Sequence, residues 1–405
     1  MILTAVKIDA SVSIELPLSK SISNRLLLMQ ALSEHAFEIE ALSQAEDTRV
    51  LQEALTNSKT KVNVGMAGTA FRFLTAFYAI QENDSKILEG APRMHQRPIG
   101  VLVEALKQLG ASVEYLAEEG YPPLEIQGKK LFGRNLEVSA TISSQFISAL
   151  IMISPYLEHG LQLKLQGKII SKPYIELTLA LMQRLGVKVD FNQNVIKVES
   201  GNYESKEKVK VERDWSSAAF FYQLFAFSER EEMFLTDLSM KSKQGDKQVA
   251  KLFEFFGVRT QSLEGGIKLT KLPNDKEINS LDMLDCPDLV PAVAVCAAVL
   301  KQEVRISGIK SLRIKETNRI AALAKELEKI GAELQEVDQQ SILIKGSKEL
   351  PKSASFKTYQ DHRMAMCLAP LAIFMKEVEI DDPHVVDKSF PQFWQELAKC
   401  GIKSS

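Results

Sequence analysis

Two helical patterns alternate along the chain at a nearly constant spacing. In the first, an amphipathic stretch ends on a glycine and gives way to a short strand-like run. It reads Val103-Glu-Ala-Leu-Lys-Gln-Leu-Gly110-Ala-Ser-Val, then Leu179-Ala-Leu-Met-Gln-Arg-Leu-Gly186-Val-Lys-Val, and returns at Gly257, Gly331 and Gly401. These glycines stand 76, 71, 74 and 70 residues apart, each where a helix needs a left-handed C-terminal residue. A period near 70 is longer than common solenoid repeats and predicts a small βα unit used several times.

The second pattern is apolar on every side. Gly68-Thr69-Ala-Phe-Arg72, Ser143-Ser144-Gln145-Phe-Ile, Asp214-Trp-Ser216-Ser217-Ala, Cys286-Pro-Asp288-Leu-Val and Asp361-His362-Arg363-Met-Ala each open such a stretch. From Thr69 to Ser144, Ser216, Asp288 and His362 the gaps are 75, 72, 72 and 74. Helices apolar all round lie buried at the centre of their unit. Their polar residues sit only at the N-terminal mouths, where the helix dipole presents partial positive charge. Ser19 to Leu32 reads as a sixth member with a shortened repeat before it, and Ser216 and Ser217 read as helix caps. Gly160-Leu-Gln-Leu-Lys-Leu-Gln, Asn194-Val-Ile-Lys-Val-Glu and the alternating run from Met1 to Leu16 predict strands.

Composition narrows the class. The 405 residues are too many for one ordinary core, so two domains are expected. A net charge of −2 argues against bulk binding to nucleic acid or an anionic membrane, so any anion site must be local. The longest apolar run, Leu289 to Leu300, falls short of the ~20 residues that span a bilayer. Cys286, Cys296, Cys367 and Cys400 have no paired spacing and read as buried thiols of a reducing cytoplasm. His35, His95, His159, His362 and His384 are scattered without metal-ligand spacing.

Candidate chemistry gathers at the helix mouths. In Leu16-Pro17-Leu18-Ser19-Lys20-Ser21-Ile22-Ser23-Asn24-Arg25, Ser21 and Arg25 are four apart and share a helix face. The segment reads either as a serine-capped helix with solvated bases or as a mouth that holds a phosphate or carboxylate. Arg97 lies in a basic loop before a proline-started helix, Ser171-Lys172-Pro173-Tyr174 offers hydroxyls at another entrance, and Lys315 and Arg319 are four apart with Glu316 between. Lys20, Arg25, Arg97, Lys315, Arg319, Arg363 and Lys388 face two obvious acids, Asp288 and Glu316. That balance fits a ligand with several negative charges, and the acids are candidates for proton transfer. No Walker loop, GxGxxG turn, nucleophile elbow or zinc signature is present.

Taken together these segments resemble the 5-enolpyruvylshikimate-3-phosphate synthases. The matching motifs are Ser19-Lys20-Ser21-Ile22-Ser23-Asn24-Arg25, Ala67-Gly68-Thr69-Ala70, Arg97-Pro98-Ile99-Gly100, Ser143-Ser144-Gln145-Phe146, Ser171-Lys172-Pro173-Tyr174, Lys315-Glu316-Thr317, Asp361-His362-Arg363-Met364-Ala365-Met366 and Lys388-Ser389-Phe390-Pro391. They fall in the family's order over nearly the whole chain. The resemblance implies an α/β fold of two domains, each of three βαβαββ units around buried parallel helices, an inside-out α/β barrel with its active site in the interdomain cleft. One domain would combine residues 1–18 with 214–405, the other would be 19–213.

The implied reaction moves the enolpyruvyl group of phosphoenolpyruvate to the 5-hydroxyl of shikimate 3-phosphate and releases phosphate. By positional match, Lys20, Ser21, Arg25, Ser143, Ser144, Gln145, Ser171, Tyr174, Asp288, Ser311 and Lys315 would hold shikimate 3-phosphate. Lys20, Gly68, Arg97, Gln145, Arg319, His362, Arg363 and Lys388 would hold phosphoenolpyruvate. Asp288 would be the base toward the 5-hydroxyl, and Glu316, helped by Lys20, the proton donor. No metal or organic cofactor, nucleic acid or membrane partner is implied, and a cytoplasmic monomer is expected.

The sequence departs from the family's common pattern at Leu18, Met66, Phe73 and Ser311, where glycine, asparagine, proline and asparagine often stand; Met66 and Phe73 would flank the phosphoenolpyruvate glycine loop. The sister transferase acting on UDP-N-acetylglucosamine relies on a cysteine in the region matching Gly90–Gly120, and here every cysteine lies at 286 or later. A nucleic-acid-binding repeat module would need a basic or aromatic stripe, which an even charge and 7% aromatic residues do not supply.

Overall fold

In a computed structural model that describes residues 1–6, 11–34, 37–273, 279–300 and 303–404, the repeat glycines do what their spacing predicts. Gly110, Gly186, Gly257, Gly331 and Gly401 all have left-handed φ, from +76° to +100°. An L side chain there would strain the backbone, so glycine lets each helix stop and the strand begin. His35 lies outside the described residues.

The chain divides into two units, Ser19–Val211 and Met1–Leu18 with Glu212–Ser405. The second crossing falls two residues before the expected 213/214 boundary. Glu212 and Arg213 belong to the discontinuous unit because Arg213 donates to the Leu16 carbonyl at 2.7 Å and pairs with Glu15, while Gln244 donates to Glu212 and to the Arg213 carbonyl.

In the continuous unit, the helices are α1 (Lys20–Leu32), α2 (Glu46–Thr56), α3 (Gly68–Ala79), α4 (Gly100–Gln108), α5 (Ser144–Ile153) and α6 (Lys172–Arg184). α1, α3 and α5 pack on one another, and nearly every residue of α3 and α5 is buried. Two four-stranded sheets accompany them, ordered Lys61–Asn63, Ser85–Glu89, Leu124–Gln127, Ser112–Tyr115 and Asn135–Ser139, Leu161–Gln166, Val195–Val198, Val189–Asn192. The expected sixth repeat has no four-stranded sheet among the described residues. Beside α1 and α2 there is a single parallel bridge, Ile39 to Val209.

In the discontinuous unit, the helices are α7 (Trp215–Phe227), α8 (Val249–Leu252), α9 (Val290–Val299), α10 (Arg319–Glu328), α11 (His362–Leu368) and α12 (Phe393–Lys399). α7, α9 and α11 pack together, and all ten residues of α9 are buried. Its three sheets run Val258–Leu263, Gly266–Lys271, Glu232–Thr236, Val12–Ile14; Ser280–Asp282, Val304–Ser307, Ser341–Lys345, Glu333–Asp338; and Ser353–Phe356, Glu377–Ile380, Ile2–Ala5, Ile402–Ser404. The N-terminal run is therefore two strands in two different sheets, not one. Each of the five sheets contains one parallel pair and two antiparallel pairs.

All four cysteines are buried free thiols. Among the described residues, no helix is long and apolar enough to cross a membrane, and no three His, Cys, Asp or Glu side chains form a group suited to a metal ion.

Candidate active site

The continuous unit gathers its polar residues at the first turns of α1, α3, α5 and α6. Ser19 caps α1, its hydroxyl accepting from the Ile22 amide. One turn on, Arg25 is 2% exposed and completely engaged. Its Nε donates to Thr178 Oγ1 at 2.7 Å, and Nη1 to the Ser21 hydroxyl and carbonyl at 2.8 and 2.9 Å. Nη2 reaches Ser148 Oγ and the Tyr174 carbonyl, and the guanidinium lies 5.6 Å from the centre of the Phe73 ring. Every one of these partners is neutral, and no carboxylate pairs with Arg25 among the described residues. Burial therefore lowers its pKa to about 10, with Tyr174 opposing weakly. Phe73 stands under Arg25, so this departure from the common pattern bears on the Arg25 pocket.

Arg97 is the second uncompensated cation. It is 5% exposed, and its Nε and Nη1 are buried without a hydrogen-bond partner among the described residues. A Cβ at Gly68, the first residue of α3, would lie 2.3 Å from Arg97 Nη1. Glycine is thus what lets the guanidinium rest on the start of the helix. Gln145 donates to Thr69 Oγ1 at 3.1 Å, joining the mouths of α5 and α3. Ser143 caps α5 by accepting from the Gln145 amide, Ser144 is buried, and Ser171 holds a left-handed φ of +54° just before α6. Lys20 has a counter-ion of its own: Nζ lies 2.9 Å from Asp47 Oδ2.

The discontinuous unit arranges its charges oppositely. Arg319, the first residue of α10 and 1% exposed, donates to three carboxylates. Nε and Nη2 clamp Asp361 at 2.7 and 3.3 Å, Nη1 reaches Asp288 Oδ1 at 2.9 Å, and Nη2 reaches Glu316 at 2.8 Å. Burial disfavours the Arg319 charge, but Asp361, Glu316 and Asp288 outweigh it and raise its pKa. A two-pronged grip on a substrate is not available from Arg319 as it is placed, since four of its five N–H groups are taken. Lys315 and Arg319 do not share a helix face, because Lys315 follows the 3-10 turn Lys310–Ile314 and α10 begins at Arg319. Asp288 brings them together instead.

Asp288 sits in the 3-10 turn Pro287–Leu289 that leads into α9. Arg363 Nη2 lies 3.0 Å from its Oδ2, and Lys315 Nζ 3.4 Å from its Oδ1. Burial pushes its pKa up, but Arg363, Lys315 and Arg319 together hold the carboxyl well below the usual range. Asp361 caps α11 by accepting from the Arg363 amide, and His362 Nδ1 lies 3.7 Å from Asp361 Oδ1. Ser311 has a buried hydroxyl with no hydrogen-bond partner among the described residues. Lys388 is buried at the end of a 3-10 turn packed against α11.

Ser216 and Ser217 do not cap α7. Asp214 does, accepting from the Ser217 amide at 2.7 Å, while Ser216 donates to the buried Asp246. Burial, then the nearby Asp288 charge, pushes Asp246 up to about 6. The sequence reading gave no role to Asp246, Asp47, Ser148, Thr178 or Asp361. A signal existed for two of them: Ser148 and Thr178 each stand four residues after a mouth hydroxyl, Ser144 and Tyr174, and so on the same helix face.

The EPSP synthase family model (3-phosphoshikimate 1-carboxyvinyltransferase) matches residues 50–397. The 3-phosphoshikimate 1-carboxyvinyltransferase of Bacteroides fragilis is 43% identical over 393 residues, 96% of this chain and 95% of the relative. That of a Neisseria meningitidis serogroup C strain is 38% identical over 411 residues, covering 94% of each. A solved EPSP synthase from Acinetobacter baumannii superposes with a TM-score of 0.76 at 20% identity, covering 99% of this chain and 98% of that one, and so matches the inside-out α/β fold. On the family model and on these relatives, the chain belongs to the EPSP synthase family.

Proposed function

We propose that the chain transfers the enolpyruvyl group of phosphoenolpyruvate to the 5-hydroxyl of shikimate 3-phosphate, the shikimate-pathway step that leads toward chorismate and the aromatic amino acids. The observation that carries this reading is the pair of buried guanidiniums, Arg25 and Arg97, that no carboxylate of the described chain neutralises. Two such cations fit two anionic groups supplied by substrates.

The chemistry asks for a proton on the alkene methylene carbon and removal of the 5-hydroxyl proton as its oxygen bonds to the adjacent carbon. The carbon–oxygen bond to phosphate then breaks as a proton leaves the newly formed methyl group, which restores the alkene. Lys20, Ser21, Arg25, Ser143, Ser144, Gln145, Ser171, Tyr174, Ser311 and Lys315 hold shikimate 3-phosphate. Lys20, Gly68, Arg97, Gln145, Arg319, His362, Arg363 and Lys388 hold phosphoenolpyruvate. Asp288 takes the hydroxyl proton, and Glu316 with Lys20 delivers the proton to carbon. Asp288 suits its role in being ionised, and Lys20 in carrying a donor ammonium.

A cytoplasmic monomer that binds no nucleic acid belongs to the same proposal. The four buried free thiols support a reducing compartment, and sedimentation tests the monomer. The activity is tested by phosphate release from phosphoenolpyruvate. It should require shikimate 3-phosphate and should not occur with UDP-N-acetylglucosamine; release indifferent to shikimate 3-phosphate overturns the reading.

A further inference from the structure

The cations around Asp288 are already satisfied from within the discontinuous unit. Arg363 and Lys315 both point at Asp288, and Arg319 spends one N–H on the same carboxylate. Asp288 Oδ1 is shared by Lys315 and Arg319, and Oδ2 is taken by Arg363. One carboxylate with three cations around it has the geometry of a bound anion. Arg25 and Arg97 have no such internal partner.

We propose that the Asp288 carboxylate occupies, in the ligand-free chain, the place that an incoming carboxylate or phosphate takes on Arg319, Arg363 and Lys315, so that the protein carries its own competing counter-ion. The inference rests on the proposed function in one respect: it takes the substrates of that reaction as the natural anions, phosphoenolpyruvate on Arg319 and Arg363 and shikimate 3-phosphate on Lys315. When these anions arrive, the three cations transfer their contacts to them and Asp288 is released as a stronger base. A carboxylate held by three cations is ionised but weakly basic, and losing those partners moves it toward the strength a proton acceptor needs.

Two contacts make the idea testable without dismantling the cluster. Arg363 Nη1 also donates to the main-chain carbonyl of Asp288 at 3.1 Å, and Arg319 is clamped independently by Asp361. In D288N both cations therefore keep an anchor while the competing charge is gone. The other charged or titratable groups facing Asp288 are Glu316, Asp246 and the Cys286 thiol. Asp246 and Glu316 stay in place in this variant.

The experiment measures binding of inorganic phosphate and of phosphoenolpyruvate alone, by calorimetry, to the full chain, D288N and E232Q. Glu232 is a half-exposed residue paired with Lys268 in the same unit, so E232Q removes the same charge elsewhere. D288N should bind both anions about tenfold to a hundredfold more tightly, the effect of removing a charge-assisted competitor, and E232Q should bind as the wild type does. Equal or weaker binding by D288N overturns the proposal, as does equal tightening in E232Q.

Should D288N not fold, the wild-type chain labelled at aspartate carboxyl carbons serves instead. Added sulfate should move the Asp288 carboxyl-carbon resonance at neutral pH as its three cations turn to the anion, and an unmoved resonance overturns the proposal. If phosphate release proves indifferent to shikimate 3-phosphate while D288N still tightens on inorganic phosphate, the counter-ion role stands and the proposed reaction falls. The reverse pattern sinks the counter-ion role alone.

Discussion

Arg319 and Asp361 form a two-pronged pair, Nε to Oδ2 at 2.7 Å and Nη2 to Oδ1 at 3.3 Å, with both side chains closed to solvent. Removing one partner of a buried pair leaves the other charge uncompensated, at a cost of about 3–5 kcal/mol. D361N keeps an acceptor for the Arg363 amide, so the cap on α11 survives. Urea unfolding should show a loss on the order of 3 kcal/mol, with a fall in kcat/KM for phosphoenolpyruvate as Arg319 shifts. An unchanged midpoint would mean that Asp288 and Glu316 suffice to hold Arg319.

Arg25 should behave in the opposite way. Its partners are hydroxyls and carbonyls, and two of them are satisfied without it: Ser148 and Thr178 hydrogen-bond to each other at 3.0 Å, and Thr178 also donates to the Tyr174 carbonyl. R25M removes a desolvated charge and replaces it with a flexible apolar chain against Phe73. Stability should stay within about 1 kcal/mol of the wild type. The KM for shikimate 3-phosphate should rise about a hundredfold or more, because a charge-assisted anchor has gone. A large stability loss with unchanged KM would make Arg25 a structural residue.

Gly68→Ala places a methyl where the Arg97 guanidinium now lies. The helix backbone cannot yield easily, so the end of the Arg97 side chain must. The KM for phosphoenolpyruvate should rise about tenfold, with that for shikimate 3-phosphate little changed and the melting temperature preserved. A rise in both constants would place Gly68 and Arg97 in the binding of both substrates.

Asp246 gives a pH signature. Its pKa is raised from 3.8 to about 6 in the folded chain, chiefly by burial and then by Asp288. The folded state therefore holds this proton more tightly than the unfolded state. The group costs nothing at low pH and progressively destabilises the fold as pH rises from about 4 to about 6, by on the order of 3 kcal/mol in full. D246N, which can still accept from Ser216, should gain on the wild type across that window in urea unfolding. A stability difference flat from pH 4 to pH 7 would refute the shift.

The repeat glycines and the buried mouth helices were legible in the sequence because each obeys a local rule: a left-handed stop, or an apolar face in every direction. The partition of charge was not. Lys315 and Arg319 stand four apart, yet Lys315 follows a 3-10 turn and α10 begins only at Arg319, and Asp288, 27 residues earlier than Lys315, is what the two share. Likewise Lys20 and Arg25 stand in one motif, but among the described residues only Lys20 has a carboxylate, Asp47 from α2. Which cation is neutralised depends on tertiary placement of an acid, and no spacing rule along the chain encodes it. Within Met1–Leu16, Ile2–Ala5 and Val12–Ile14 are strands as the alternation predicts, but only pairing partners far along the chain place them in two sheets.

Those partners bear on how the chain is made. Ile2–Ala5 lies between Glu377–Ile380 and Ile402–Ser404, and Val12–Ile14 pairs with Glu232–Thr236. Ile2–Ala5 and Val12–Ile14 are thus synthesised long before the strands that pair with them, and wait unpaired while Ser19–Val211 has all its own partners at hand. During synthesis these two strands are the segments most exposed to mispairing. A substitution that blocks pairing at Ile2–Ala5 would disturb the strand that joins Glu377–Ile380 to Ile402–Ser404.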